Sequence, residues 1–175
     1  VGNQVEVEML LATKWELLER AGPNGDTQVV MQSDGGRGSE WELIRRFDFH
    51  HERQTMSVVT APLNARASNS ARVYCKGSFE KIALLCLGAG VPSDFHERAR
   101  RYALDGCYVL ALASRDLTAH EASRMDELEQ NEVETDLHLL GLLIFRNQLK
   151  PETPDAIRQL KQGEVRTVMI TGDNA

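Results

Sequence analysis

The sequence predicts an α+β fold with a mainly antiparallel sheet flanked by helices. Two observations lead to this class. Short apolar runs are separated by turn-forming residues, which is typical of β-hairpins. The predicted order of elements is a helix, several hairpin strands, a group of helices and a final strand–helix–strand unit. The chain has 175 residues, of which 42% are hydrophobic and 26% charged, and this composition suits one globular domain with a fragment of a second.

The first part of the chain is expected to hold one helix and a hairpin. Residues 4–19 place apolar side chains at roughly helical spacing, and the Gly-Pro-Asn-Gly run at 22–25 ends that helix. Residues 27–32 and 40–49 are predicted strands, because the glycine-rich segment between them is a turn signal.

The middle of the chain continues the sheet and then changes to helices. Residues 56–60 and 72–75 are predicted strands. Ser78 can cap a helix that runs to about Leu87, since a serine side chain accepts a hydrogen bond from the free N–H groups of a first turn. A second helix is expected over residues 94–104.

The last part of the chain is expected to add apolar strands. Residues 108–113 and 137–145 have the apolar character of strands. Pro151 suits the first turn of a helix that ends near Gly163. Residues 165–170 would form a final apolar strand, so the pattern alone indicates a strand–helix–strand unit at the end of the chain.

Charge and cysteine content exclude several kinds of protein. A net charge of -6 argues against a nucleic-acid surface, which would need clustered Lys and Arg. Acidic residues gather in 118–136, where a solvated helix or loop is expected and a cation-binding tail is the alternative. Cys75, Cys86 and Cys107 are too scattered for a disulfide framework or a zinc site, so we expect three buried free thiols. The apolar stretches are shorter than the roughly 20 residues of a membrane helix, so no direct membrane contact is expected.

Two places in the chain have residues suited to a nucleotide. Phe47 and Phe49 alternate on one face of their predicted strand, and an aromatic ring at a strand end can stack on a base. Lys76, Gly77 and Ser78 follow a strand and open a helix, where N–H groups favour an anion and Lys76 adds a positive charge. Taken alone, each pattern is more often structural: two core phenylalanines, and an ordinary Lys-Gly-Ser turn.

A third pattern follows the last predicted strand. Thr171, Gly172, Asp173 and Asn174 come directly after residues 165–170, and ligands of open α/β sheets lie beyond the carboxyl ends of strands. A glycine turn with a hydroxyl and a carboxylate suits phosphate and Mg²⁺. By itself, such a run is more often only a turn.

These patterns occur in one order, and with other segments they resemble the P-type ATPases over nearly the whole chain. The matching segments are Val-Glu-Val-Glu-Met-Leu at 5–10, Phe-Asp-Phe at 47–49, Gln-Thr-Met-Ser-Val-Val at 54–59, Lys-Gly-Ser-Phe-Glu at 76–80, Leu-Ala-Leu-Ala at 110–113, Leu-Leu-Gly-Leu-Leu at 139–143, Asn-Gln-Leu-Lys-Pro at 147–151 and Val-Met-Ile-Thr-Gly-Asp-Asn at 168–174. The segments at 5–10 and 147–151 look most like the P5B subgroup, which is associated with polyamine export from late endosomes and lysosomes.

The resemblance implies a role for each matching residue. It assigns the following residues to the ATP site: Glu6, Phe49, Met56, Lys76, Gly77 and Leu110. In the family the aromatic residue stacks on adenine, the acidic residue lies near the adenine amino group, and the lysine lies deep in a pocket with apolar walls. A second set assists phosphoryl transfer or forms a domain hinge. The transfer residues are Thr171, Gly172 and Asp173, and the hinge residues are Asn147 and Lys150.

The resemblance also divides the chain. It implies a nucleotide-binding domain at 1–147, truncated at its N-terminus, and the start of a phosphorylation domain at 148–175, so the last helix and strand would leave the first sheet. The 175 residues contain no Asp-Lys-Thr-Gly-Thr segment, which holds the family's phosphorylated aspartate. We therefore expect this chain to bind ATP without turnover.

The resemblance further implies what the whole protein does. It would couple Mg²⁺-dependent ATP hydrolysis to the transport of a cation or polyamine. This segment would face the cytosol from an endosomal or lysosomal membrane, with the remaining phosphorylation, actuator and membrane domains of the same chain as partners. Two other interpretations stay open: a soluble nucleotide-binding or phosphatase-like domain that shares only the Thr-Gly-Asp turn, and an interaction module without a ligand.

Overall fold

A single sheet organises the chain. The computed structural model describes residues 4–22, 27–33, 40–63, 70–146 and 149–170. Within these residues seven strands pair in chain order, and every neighbouring pair is antiparallel. The strands are β1 (Trp15–Ala21), β2 (Thr27–Ser33), β3 (Trp41–His50), β4 (Thr55–Pro62), β5 (Arg72–Ser78), β6 (Cys107–Asp116) and β7 (His138–Arg146). The helices are α1 (Gln4–Thr13), α2 (Phe79–Leu85), α3 (Phe95–Leu104), α4 (Ala119–Ala122), α5 (Gln130–Val133) and α6 (Thr153–Gln162). The predicted class, an antiparallel sheet with flanking helices, is confirmed.

Alternation sorts the side chains of β4, β5 and β6 onto two faces. The odd-numbered residues lie on a buried face, where Val59, Val73 and Ala111 are 0% exposed. Helices α2 to α5 pack on this covered face in two adjoining apolar clusters. Each fully buried valine or leucine there contributes about 1.5–3 kcal/mol. The even-numbered residues lie on the opposite side, and most of them, Met56 and Lys76 included, are partly buried or exposed. This side is called the open face below.

Most predicted strands and helices are found near their predicted bounds. The Ser78 side chain accepts a hydrogen bond from the N–H of Lys81 at 3.3 Å and so caps α2. Gly106 follows α3 with a φ of 77°, a conformation that costs glycine little. Among the described residues all three cysteines are buried and free, as the sequence predicts.

The first predicted helix is wrong in its second half. α1 ends at Thr13, Lys14 has a φ of 58°, and Trp15–Ala21 forms the edge strand β1. β1 pairs with β2 along its whole length, from Trp15 opposite Ser33 to Ala21 opposite Thr27. Neighbouring leucines fit either a helix or a strand over so short a span. The hydrogen bonds to β2 decide between the two, and local spacing does not report them.

The predicted strand at 165–170 is not formed. Its apolar side chains are exposed, up to 92% at Ile170. A strand requires a neighbour for its backbone hydrogen bonds, and within the described part of the chain no strand pairs with it. α6 does form before it and ends before Gly163, but Pro154 and not Pro151 lies in its first turn. The assignment of this region to a second domain stays a prediction.

The acidic segment at 118–136 is not simply solvated. Arg115, at the end of β6, is 9% exposed. Its guanidinium donates to both carboxylate oxygens of Glu121, at 3.0 and 2.7 Å, and to the carbonyls of Glu132 and Val133. Glu134 is 4% exposed and accepts a hydrogen bond from Thr55 at 2.8 Å. A buried charge without such partners costs several kcal/mol, so these pairs are what allow the segment to lie against the sheet.

The Arg115–Glu121 pair predicts an acid-sensitive stability. The guanidinium of Arg115 and then the N–H and hydroxyl of Thr118 lower the pKa of the Glu121 carboxyl to about 2, from its ordinary 4.5. Because the folded-state pKa is depressed, this stabilisation is complete above pH 4.5 and is lost as the pH falls from there towards 2. Glu121→Gln should lower the free energy of unfolding at pH 7 by about 2 kcal/mol. When unfolding by urea is measured at a series of pH values, the acid limb, which is the loss of this free energy as the pH falls below 4.5, should be less steep in the variant.

The matched control is Glu127→Gln, which removes the same charge from an exposed position of the same segment. Its acid limb should follow that of the unmodified chain. An acid limb unchanged by Glu121→Gln would contradict the stabilising role of the pair.

Candidate nucleotide-binding site

Strand register brings several of the predicted site residues onto the open face. Met56 of β4 lies opposite Lys76 of β5. On β6, Leu112 lies opposite Lys76 and Leu110 lies opposite Ser78. Directly opposed side chains in antiparallel strands lie about 4.5–5.5 Å apart at Cβ. Met56, Lys76 and Leu110 therefore occupy adjacent positions on three neighbouring strands, although 54 residues separate the first from the last in the sequence.

A bulge in β3 separates the two phenylalanines that the sequence places on one face. Phe47 lies opposite Ser57, on the covered face, and packs against the apolar cluster there. The pairing then shifts, so that His50 is opposite Thr55. Two residues of β3, Asp48 and Phe49, therefore lie across from the single residue Met56 of β4, which is a β-bulge. His50 is opposite Thr55 of the covered face, so its neighbour Phe49 is directed to the open face. The shared face predicted for the two rings is therefore wrong, and Phe49 is 57% exposed.

Helix α1 contributes an acidic residue to the open face. The ammonium nitrogen of Lys76 lies 3.5 Å from a carboxylate oxygen of Glu6 and 3.8 Å from the sulfur of Met9. The side chain of Lys76 is 16% exposed and that of Glu6 is 40% exposed. Lys76 therefore lies along the apolar surface with its charge compensated by Glu6, and the roles predicted for both residues in ATP binding stay predictions.

Gly77 has a structural reason to be glycine. A Cβ at this position would overlap the carbonyl oxygen of Gln54 and lie 2.9 Å from a methyl carbon of Thr55. The N–H of Ser78 donates to that same Gln54 carbonyl at 3.1 Å. Close approach of the turn before β4 therefore explains the glycine, and the Ser78 N–H is already bonded within the protein. A nucleotide contact by Gly77 stays a prediction.

Other predicted residues are not brought to the open face. Asn147, Thr171, Gly172 and Asp173 lie outside the described residues. Lys150 is exposed just before α6. Among the described side chains, no group of three His, Cys, Asp or Glu residues is arranged to hold a metal ion. None of the helices that the structure describes is long and apolar enough to cross a membrane.

One apolar residue of the open face, Leu112, and two surface hollows along α3 were not predicted from the sequence. Leu112 is opposite Lys76, and the Leu-Ala-Leu-Ala pattern at 110–113 could have placed both leucines on one face. Two surface hollows lie along α3, lined among others by Arg98 and Tyr102, and one of them reaches β7. Neither is lined by the residues of the open face named above.

Comparison with known proteins gives a consistent result. The model of a family described as "P-type ATPase, cytoplasmic domain N" matches residues 17–152. A mouse protein named "Probable cation-transporting ATPase 13A5" is 39% identical over 99% of this chain and 15% of its own length. The human "Polyamine-transporting ATPase 13A2" is 36% identical over 99% of this chain and 16% of its own length. The chain thus spans about a sixth of the curated relatives it matches.

Proposed function

Because the chain belongs to the P-type ATPases, as the cytoplasmic domain N of such an enzyme, we propose that its open face binds the adenine end of ATP. The family match extends from β1 to the end of β7, so the interpretation that only a Thr-Gly-Asp turn is shared is wrong. One observation carries the proposal. Glu6, Phe49, Met56, Lys76 and Leu110 come from five different elements and lie on one side of the sheet, where Glu6 is paired with Lys76.

The apolar residues of the open face suit a flat base. The ring of Phe49 is 57% exposed, so one of its faces is accessible to a base. Met56 of β4 and Leu110 of β6 are partly buried on the two strands that flank β5 and offer apolar contacts to a stacked ring. Stacking of a base on an aromatic residue is worth about 1–3 kcal/mol.

The Glu6–Lys76 pair supplies polar recognition and also limits affinity. Adenine carries an amino group that can donate to the Glu6 carboxylate. Glu6 already accepts a hydrogen bond from Lys76 at 3.5 Å, so adenine would have to share or replace that contact. The hydrogen bond to adenine therefore adds little binding free energy, and we expect a Kd for ATP on the order of millimolar. ADP should bind nearly as well as ATP, because the contacts described are with the base.

The whole protein is proposed to be a transport ATPase. The relatives are named cation- and polyamine-transporting ATPases, which supports cation or polyamine transport driven by ATP. Phosphoryl transfer through an aspartyl-phosphate needs a nucleophile and Mg²⁺ ligands, which we assign to other parts of the enzyme. Thr171, Gly172 and Asp173 would assist that transfer, and Asn147 and Lys150 would form the hinge to the phosphorylation domain.

Its place in the cell follows from the same proposal. As a domain N, the chain would lie on the cytosolic side of an integral membrane protein, without direct membrane contact and without nucleic acid. The actuator and membrane domains of the same polypeptide would be its other partners. An endosomal or lysosomal membrane is proposed only from the resemblance to the P5B subgroup.

Truncation of the two phenylalanines should have opposite effects. Phe49→Ala removes the exposed ring of the open face, so the Kd for ATP should rise about 5- to 150-fold while thermal stability changes little. Phe47→Ala removes a ring packed on the covered face and should lower the free energy of unfolding by on the order of 2 kcal/mol. NMR titration with ATP and thermal unfolding measure the two effects. The adenine site would be misplaced if Phe47→Ala lost ATP affinity while Phe49→Ala kept it.

Base selectivity tests the position of Glu6. Guanine presents a carbonyl oxygen where adenine presents its amino group, so GTP would place an acceptor against a carboxylate. ATP should therefore bind more tightly than GTP, and Glu6→Gln should narrow the difference, because an amide can donate as well as accept. Glu19→Gln, at an exposed position of β1, removes the same charge and should leave the ratio of the two Kd values unchanged. Equal affinities for ATP and GTP in the unmodified chain would argue against this placement.

A further inference from the structure

The turn between β3 and β4 lies next to the proposed site. Residues 51–54 connect β3, which carries Phe49, to β4, which carries Met56. Gln54 ends the turn with a φ of 56°. Its carbonyl accepts from the N–H of Ser78 at 3.1 Å, and its side-chain oxygen accepts from the Ser78 hydroxyl at 3.2 Å. One side of the turn is thus attached to the end of β5.

Helix α5 holds the other side of the same turn. The guanidinium of Arg53 donates to the side-chain oxygen of Asn131 at 2.6 Å. The hydroxyl of Thr55 donates to the Glu134 carboxylate at 2.8 Å. The two residues that flank Gln54 in the sequence therefore both bond to α5 or its first following residue. These partners are 78 and 79 residues away along the chain.

Helix α5 is itself fixed to the core. Val133 and Leu128 are 0% exposed on the covered face. The buried guanidinium of Arg115 donates to the carbonyls of Glu132 and Val133. Glu134 also accepts from the side chain of Gln130 at 2.9 Å. A helix of four residues has little stability of its own, so these contacts are what hold it in place.

The β3 bulge makes the turn contacts important for Phe49. Between the Phe47–Ser57 and His50–Thr55 pairs the ladder is irregular, so strand pairing alone does not set the position of the ring. The nearest fixed points are the His50–Thr55 pair and, beyond it, the turn residues at 51–54 with their bonds to α5 and β5. The position of Phe49 therefore depends on contacts made beneath the sheet, on the side away from the open face.

We propose that α5 positions the turn at 51–54 and, through it, the Phe49 ring, so that Asn131 and Glu134 are positioning residues for nucleotide binding. Neither residue lies on the open face, and neither would touch the nucleotide. The ligand named here rests on the proposed function, whereas the positioning of the turn rests only on the contacts above.

The exposed contact between the turn and α5, from Arg53 to Asn131, is tested with Asn131→Ala in the 175-residue chain. Asn131 is exposed, so its loss should leave the thermal midpoint nearly unchanged. The Kd for ATP should rise about threefold or more, as for coupled neighbouring groups. The amide hydrogen of Gln54, which is bonded to the carbonyl of His50 at 2.7 Å, should exchange faster with solvent. Ser123→Ala is the matched control, because it removes a local hydrogen bond of 2.7 Å to His120 within the same segment; it should change neither quantity.

The buried contact, from Thr55 to Glu134, is tested with two substitutions of Thr55. Thr55→Val removes the hydroxyl that donates to Glu134 and keeps the side-chain volume, so the Kd for ATP should rise. Thr55→Ser retains the hydroxyl and should restore the Kd. All Kd values are measured at a temperature where circular dichroism shows every variant fully folded, because loss of stability alone does not change the affinity of the folded protein.

The outcomes separate this inference from the proposed function. Unchanged Gln54 exchange and unchanged ATP affinity in both Asn131→Ala and Thr55→Val would overturn the positioning role. If the unmodified chain did not bind ATP, the proposed function would fail. In that case faster Gln54 exchange in Asn131→Ala would still support the positioning of the turn, and unchanged exchange would refute it.

Discussion

The antiparallel register of β4, β5 and β6 is the constraint on which the rest of the structure depends. A slip of one residue between two strands moves every side chain to the other face. Here it would expose Val59 or Val73, both 0% exposed, and bury Lys76. Gly77 helps to hold this register, because only a residue without a Cβ fits against the Gln54 carbonyl. The same register brings together the candidate ATP-binding residues of the open face, Met56, Lys76 and Leu110.

The two faces of the sheet have different tasks. The covered face is filled by α2 to α5, and their apolar clusters supply most of the burial. The open face carries α1 and the Glu6–Lys76 pair and is only partly buried. The two faces are linked at the β3–β4 turn. Next to this turn, Thr55 donates a hydrogen bond to Glu134 on the covered face, and Phe49 lies on the open face. The packing that stabilises the domain also positions the ring proposed to bind adenine.

Local signals in the sequence predicted what local interactions determine. Ser78 caps α2 as expected, and alternation in β6 separates Leu110 from Ala111. Long-range interactions were not visible in the same way. The β3 bulge, which separates Phe47 from Phe49, depends on pairing with β4, and the burial of Glu134 depends on a hydroxyl 79 residues away. The site residues came from motif resemblance, because no spacing rule joins Glu6 to Lys76.

The central claim is that the open face binds the adenine of ATP. A titration of the isotope-labelled chain with ATP, followed by amide chemical shifts, tests it directly. Binding at the open face should give saturable shifts at Phe49, Met56 and Lys76, with much smaller shifts at Val59 and Val73 on the covered face. Shifts centred on Arg98 and Tyr102, in the hollow along α3, or no shifts at any residue, would contradict it.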